Sequence, residues 1–99
     1  MKILGIDLQE GFESESVVME LDGREVYRQK NVTTKLLLGY AQTLTFQVPE
    51  GNVRLRISLP LRSLEKIVRL NISADTYVGV SLTLEGLETI LSGSPFYYQ

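Results

Sequence analysis

The chain contains no cysteine, no histidine and no tryptophan. Without cysteine there is no disulfide framework and no thiolate chemistry, and such a chain suits either side of a membrane. Without histidine the commonest metal ligand, the usual general base and the usual pH sensor are all missing. The Ser-His-Asp and Cys-His arrangements of nucleophilic catalysis are excluded with them. No apolar run approaches the length of a membrane span. The opening Met1-Lys2-Ile3-Leu4-Gly5-Ile6 has one basic residue and a short apolar run before Asp7, too short for a signal-peptide core. The expectation is a cytoplasmic protein with no membrane partner. No Walker-type or dinucleotide-type glycine motif occurs.

At 99 residues the chain is one domain. At that length roughly two-thirds of the extended-chain surface can be buried, enough for one core without staples. The net charge of -2 hides three blocks. Residues 1–23 balance at -5, residues 24–69 at +6 and residues 70–99 at -3. No stretch is a dense run of like charge, so the blocks are expected to fold against one another on a mixed surface.

The strongest pattern lies between Gln42 and Leu61. Leu44, Phe46 and Val48 alternate with Thr43, Thr45 and Gln47; Val53, Leu55, Ile57, Leu59 and Leu61 alternate with Arg54, Arg56 and Ser58. A period of two places each apolar set on one face of a strand. Pro49-Glu50-Gly51-Asn52 between them has turn chemistry. The expectation is a hairpin in which Val48 faces Val53, Phe46 faces Leu55 and Leu44 faces Ile57, with both arginines wet.

The remainder reads as further short strands. Leu4, Ile6 and Leu8 alternate and suit a first strand at an edge. Gln9 to Ser16 is an acidic loop anchored by Phe12. Ser16 to Gln29 is a second hairpin around Asp22-Gly23, a pair that tolerates positive φ. Its two-residue register places Met19 opposite Val26 and Val18 opposite Tyr27, but also Glu20 opposite Glu25, so a bulge or a longer turn stays open. Leu36-Leu37-Leu38 is a short strand or an irregular crossover plugging one end of the core. Ser63 to Glu65 is a loop or a single helical turn. Strands follow over Lys66 to Ala74, Tyr77 to Leu84 and Leu87 to Leu91.

Six to eight strands with regular turn signals point to an all-β fold, an antiparallel β-sandwich filling residues 1–99. Val18 to Tyr27 and Phe46-Gln47-Val48-Pro49-Glu50-Gly51, followed by an alternating strand, resemble the broad group of immunoglobulin-like and transthyretin-like sandwiches. The cysteine pair and core tryptophan of antibody-type domains are absent. The resemblance is architectural and carries over no active site.

Candidate chemistry is sparse. Ser63 and Lys66 would face each other only on a helical turn, and a capped turn with a solvated lysine explains them. Glu13 and Glu15 lie on the acidic loop with nothing to tune either as a glycosidase-type acid. Asp7, Glu10, Glu13 and Glu15 offer oxygen ligands for calcium but match no EF-hand spacing. Arg54, Arg56, Arg62, Lys66 and Arg69 would form a basic stripe, yet a strand's wet face accounts for them and the pI near 5.1 argues against nucleic acid. Asn31-Val32-Thr33 and Asn71-Ile72-Ser73 are glycosylation sequons of consequence only in a secreted eukaryotic protein.

The remaining lead is assembly. Phe96, Tyr97 and Tyr98 form the one aromatic cluster, and Tyr is well suited to interfaces. On a strand Tyr97 points opposite to Phe96 and Tyr98. Leu4 to Leu8 and Leu87 to Leu91 are candidate open edges. The expected function is therefore a non-enzymatic interaction or structural module. It would act through a sheet edge or through Phe96, Tyr97 and Tyr98 on a protein partner or a second copy, as a homo-oligomer. The alternative is a carbohydrate- or calcium-binding module. No catalytic residue, metal or cofactor is expected.

Overall fold

In the computed structural model, which describes residues 1–98, strand β1 (Lys2–Leu8) sends Leu4, Ile6 and Leu8 inward, each fully buried, and Gly5 and Asp7 to the other face. It is hydrogen-bonded on both sides. β4 (Gln42–Val48) runs antiparallel to it and β7 (Thr76–Thr83) parallel, and β8 (Gly86–Ser92) completes the order β4-β1-β7-β8. The second sheet has the order β3-β2-β5-β6, from β2 (Glu15–Leu21), β3 (Arg24–Val32), β5 (Gly51–Leu59) and β6 (Leu64–Ile72). The fold is thus all-β, eight strands in two four-stranded sheets, not closed into a barrel. The sheets share one core, with Leu4, Ile6 and Val78 from the first and Met19, Leu55 and Ile57 from the second.

The expected edge position of Leu4 to Leu8 is corrected, because β1 is interior. A parallel pair needs a long connection between its strands. Here the connection from β1 to β7 is the whole second sheet plus β4, which no local pattern in residues 4–8 reveals.

The hairpin expected over Gln42 to Leu61 is also corrected. Both apolar sets face the core except at Leu61: Val48, Val53, Leu55, Ile57 and Leu59 are buried and Leu44 and Phe46 half-buried, whereas Leu61 falls in a 3-10 turn after the strand and is 75% exposed. Arg54 is exposed and Arg56 lies on the same outer face. But β4 and β5 belong to opposite sheets. Phe46 lies opposite Leu4 rather than Leu55, and Leu55 lies between Leu21 and Val68. Alternation reports which way a side chain points and says nothing about which strand is its neighbour. An arch between sheets and a hairpin within one bury the same residues. Pro49 has no N–H for a ladder, and Gly51 takes φ +114, both suited to a chain leaving one sheet for the other.

The Asp22-Gly23 hairpin forms with positive φ at both residues, as a type I′ turn requires. Glu20 does oppose Glu25, and a bulge follows, so Met19 meets Tyr27 and Val18 meets Arg28. The expected pairs Met19–Val26 and Val18–Tyr27 are displaced by one residue. Residues three apart on a regular strand point to opposite faces; the bulge lets Arg28 reach Glu25 at 2.7 Å. Arg56 approaches Glu20 at 3.7 Å, so each acid of the like-charged pair has a cation. The bulge also brings Tyr27 against the core, where its hydroxyl is buried with no hydrogen-bond partner among the described residues and desolvation raises its pKa.

A 3-10 turn over Pro60–Arg62 ends at Ser63 with φ 53, and β6 begins at Leu64, two residues before the expected strand. None of the three leucines plugs the core: Leu36 and Leu37 are each 93% exposed and Leu38 is 44% exposed. Their loop folds on itself, with Lys35 bridging Tyr40 and the Leu38 and Gly39 N–H groups donating to the Lys35 carbonyl. Phe12, Val32 and Ala41 are the buried residues at this end.

Truncating Phe12→Ala should therefore cost about 3–5 kcal/mol. A paired Leu36→Ser, Leu37→Ser change should stay within about 0.5 kcal/mol per site. Urea unfolding of the two variants checks both values.

Candidate functional site

The outer face of the β4-β1-β7-β8 sheet carries the most developed side-chain arrangement. Along β1 the outward positions are Ile3, Gly5 and Asp7, followed by Gln9, whose N–H still donates to the Val80 carbonyl on β7 at 2.7 Å. Gly5 lies opposite Tyr77, and a Cβ there would run into the Tyr77 ring. A Cβ at Gly79 would stand 2.6 Å from the Gln9 amide. The two glycines keep the middle of the sheet low, so one ring and one amide lie flat on it.

Residues 93–98 cross this face. The Tyr98 hydroxyl donates to Asp7 Oδ2 at 2.6 Å and accepts from Gln9 Nε2 at 3.0 Å. Its ring packs against Tyr40, with centroids 4.7 Å apart and planes tilted by 40°. The Lys35–Tyr40 bridge fixes Tyr40 at the mouth of the leucine loop, and Gly39 lies beside the Tyr98 ring. Asp7 is only 6% exposed, and Tyr98 is its one side-chain donor among the described residues. Burial, reinforced by the bond to Asp7, pushes the Tyr98 hydroxyl up to about 12. Pro95, Phe96 and Tyr98 thus close a groove of about 380 Å³ over Gly5, Asp7, Leu44 and Tyr77.

Of the three aromatic residues singled out in the sequence, Phe96 and Tyr98 are half-buried against their own domain and Tyr97 is 87% exposed. The alternation expected of a strand holds, although residues 93–98 form none. Sequence reasoning missed Asp7, Gln9, Tyr40 and Tyr77 as their partners. The available signal was the outward series Gly5, Asp7, Gln9, a small residue and two polar ones on a strand that proves central.

The other candidates are not brought together. Glu15, 3% exposed, is held by Arg62 through a two-pronged ion pair of 2.7–3.0 Å. Asp7 faces the opposite side, so the acidic loop does not converge; among the described residues no three acidic side chains gather at a metal-sized spacing. The basic stripe is divided too, with Arg62 on Glu15 and Arg56 on Glu20 and Glu65. Arg54 and Arg69 oppose each other across β5 and β6. Ser63 ends the 3-10 turn and Lys66 lies on β6, so no helix aligns them. The Glu15–Arg62 and Glu20–Arg56 pairs join the acidic block to the basic one, as expected.

Comparison with family models, with curated proteins and with solved structures finds no match.

A tyrosine whose folded pKa lies above its ordinary value of 10.0 stabilises the fold fully below pH 10 and loses that contribution as pH rises through about 12. In an ultraviolet absorbance titration a tyrosine step should appear near pH 12, and Tyr98→Phe should abolish that step. The same change leaves the buried Asp7 oxygen without its donor and should cost about 1–3 kcal/mol at neutral pH.

Proposed function

We propose that the domain is a non-enzymatic interaction or structural module that works through an open sheet edge, with the C-terminal aromatic segment as its second contact. The observation that carries this reading is the contrast between the two sheets. The edges of one, β3 and β6, carry Arg24, Glu25, Arg28 and Lys30, and Glu65, Lys66 and Arg69. Charge on an edge strand discourages pairing with another chain. The edges of the other sheet lack that protection. β4 has no charged residue and β8 has only Glu88. On β8 two consecutive apolar residues, Ile90 and Leu91, are both exposed. A strand with free backbone groups and apolar side chains on both faces is suited to adding a strand from a second copy or a partner.

Within the sandwich architectures, the transthyretin-like reading is favoured over the immunoglobulin-like one. In an immunoglobulin constant domain the first and second strands share a sheet. Here β1 and β2 lie in opposite sheets. A carbohydrate-binding role is the second reading, favoured by the Tyr40 and Tyr77 rings lining the groove that Tyr98 occupies.

Light scattering across a concentration series tests the first reading. The mass should rise with concentration, and Ile90→Lys should hold the chain monomeric. A chain that stays monomeric at millimolar concentration excludes edge assembly. Quenching of tyrosine fluorescence by oligosaccharides would favour the second reading.

A further inference from the structure

We infer that the groove over Gly5, Asp7 and Tyr77 is a docking site for the C-terminal segment of a second copy, so that two chains can exchange residues 95–98. This rests on the interaction-module reading and narrows it to one partner and one surface.

The occupant is identified by what already fills the groove. The site recognises a hydroxylated ring at three points: the buried Asp7 carboxylate accepts a hydrogen bond from the Tyr98 hydroxyl, Gln9 donates one to that hydroxyl oxygen, and Tyr40 packs on the ring. An interior carboxylate is costly unless paired, so the groove is built to be closed by such a ring. Nothing in these contacts requires the ring to come from the same chain.

The attachment of the segment is compatible with release. Among the described residues, no backbone group of residues 93–98 bonds to another backbone group. The segment is held through side chains, chiefly those of Tyr98 and Phe96. Its hinge is Gly93-Ser94, where the Ser92 hydroxyl donates to the Ser94 carbonyl at 2.8 Å and accepts from the Ser94 N–H at 3.1 Å. Opening that turn costs two local hydrogen bonds. Exchange then restores every groove contact in the partner, which is why swapped elements are a low-cost route to dimers.

The hinge sets the balance. A tail on a short flexible tether reaches its own groove at an effective concentration on the order of millimolar, so the closed chain dominates below that. Shortening the hinge denies the tail its own groove while leaving a neighbour's within reach. Deleting Gly93 and Ser94 should lower the concentration at which the dimer forms by at least about tenfold.

Light scattering of the full chain and of the deletion variant reads this directly. The deletion variant should be dimeric where the full chain is monomeric. Adding Tyr98→Ala should return it to monomer, and adding Ile90→Lys should not. A folded deletion variant that stays monomeric overturns the inference, as does a dimer that survives Tyr98→Ala. A dimer lost only with Ile90→Lys belongs to the β8 edge, which sinks the groove and leaves the edge reading standing. The cysteine-free chain gives a second readout that does not depend on the deletion folding. Thr45 and Pro95 line the same groove. Full chains carrying Thr45→Cys and Pro95→Cys separately, mixed at high concentration and oxidised, should form a mixed disulfide dimer that Tyr98→Ala in the tail-bearing chain suppresses. No mixed dimer, or one indifferent to Tyr98→Ala, overturns the inference.

Discussion

Strand β1 is gripped from both sides, antiparallel to β4 and parallel to β7, and most of the molecule follows from that placement. Seven pairings on one side and five on the other fix which residues look inward. Leu4, Ile6 and Leu8 then supply the middle of one core layer, and Gly5 and Asp7 are committed to the outer face. The parallel partner arrives from far along the sequence, so the pairing closes the chain on itself and brings residues 93–98 back over the first strand. A parallel pair of this kind closes a long loop at a cost in chain entropy, which makes it a constraint on the whole fold rather than on one sheet.

The outer face shows how that constraint is used. A buried carboxylate on a central strand is costly unless something answers it, and the answer is a tyrosine 91 residues away. The glycines at positions 5 and 79 make room for Tyr77 and Gln9 to lie flat beneath the returning segment. The other buried acid, Glu15, is answered by a forked guanidinium from the 3-10 turn. Both buried acids of the first block, Asp7 and Glu15, are therefore tied to residues distant in sequence. They act as clamps between parts of the chain, which is why they do not assemble into a metal site.

Much of the secondary structure was legible from the sequence because alternation and turn chemistry are local. The strands near residues 17–21, 42–48, 53–59 and 78–83, the Asp22-Gly23 turn, the anchoring Phe12 and the wet Arg54 all follow from patterns a few residues long. Pairing was not legible. Val48 and Val53 look like hairpin partners because period two is the same whether the chain reverses in one sheet or arches to another. The three leucines at 36–38 look like core because hydrophobicity alone suggests it, yet a backbone turn around the Lys35 carbonyl leaves all three exposed. The aromatic cluster at 96–98 was visible as a cluster, whereas its partners Asp7, Gln9 and Tyr40 were not, since only the tertiary fold brings residues 7 and 98 together.

The position of β1 can be read by one measurement, a map of backbone nuclear Overhauser effects between strands. The account predicts short interstrand contacts from Ile6 to both Leu44 and Val78, and from Leu4 to Phe46, together with slow amide exchange along β1. Contacts from Phe46 to Leu55 in the pattern of a hairpin, with β1 exchanging as a free edge, would contradict it.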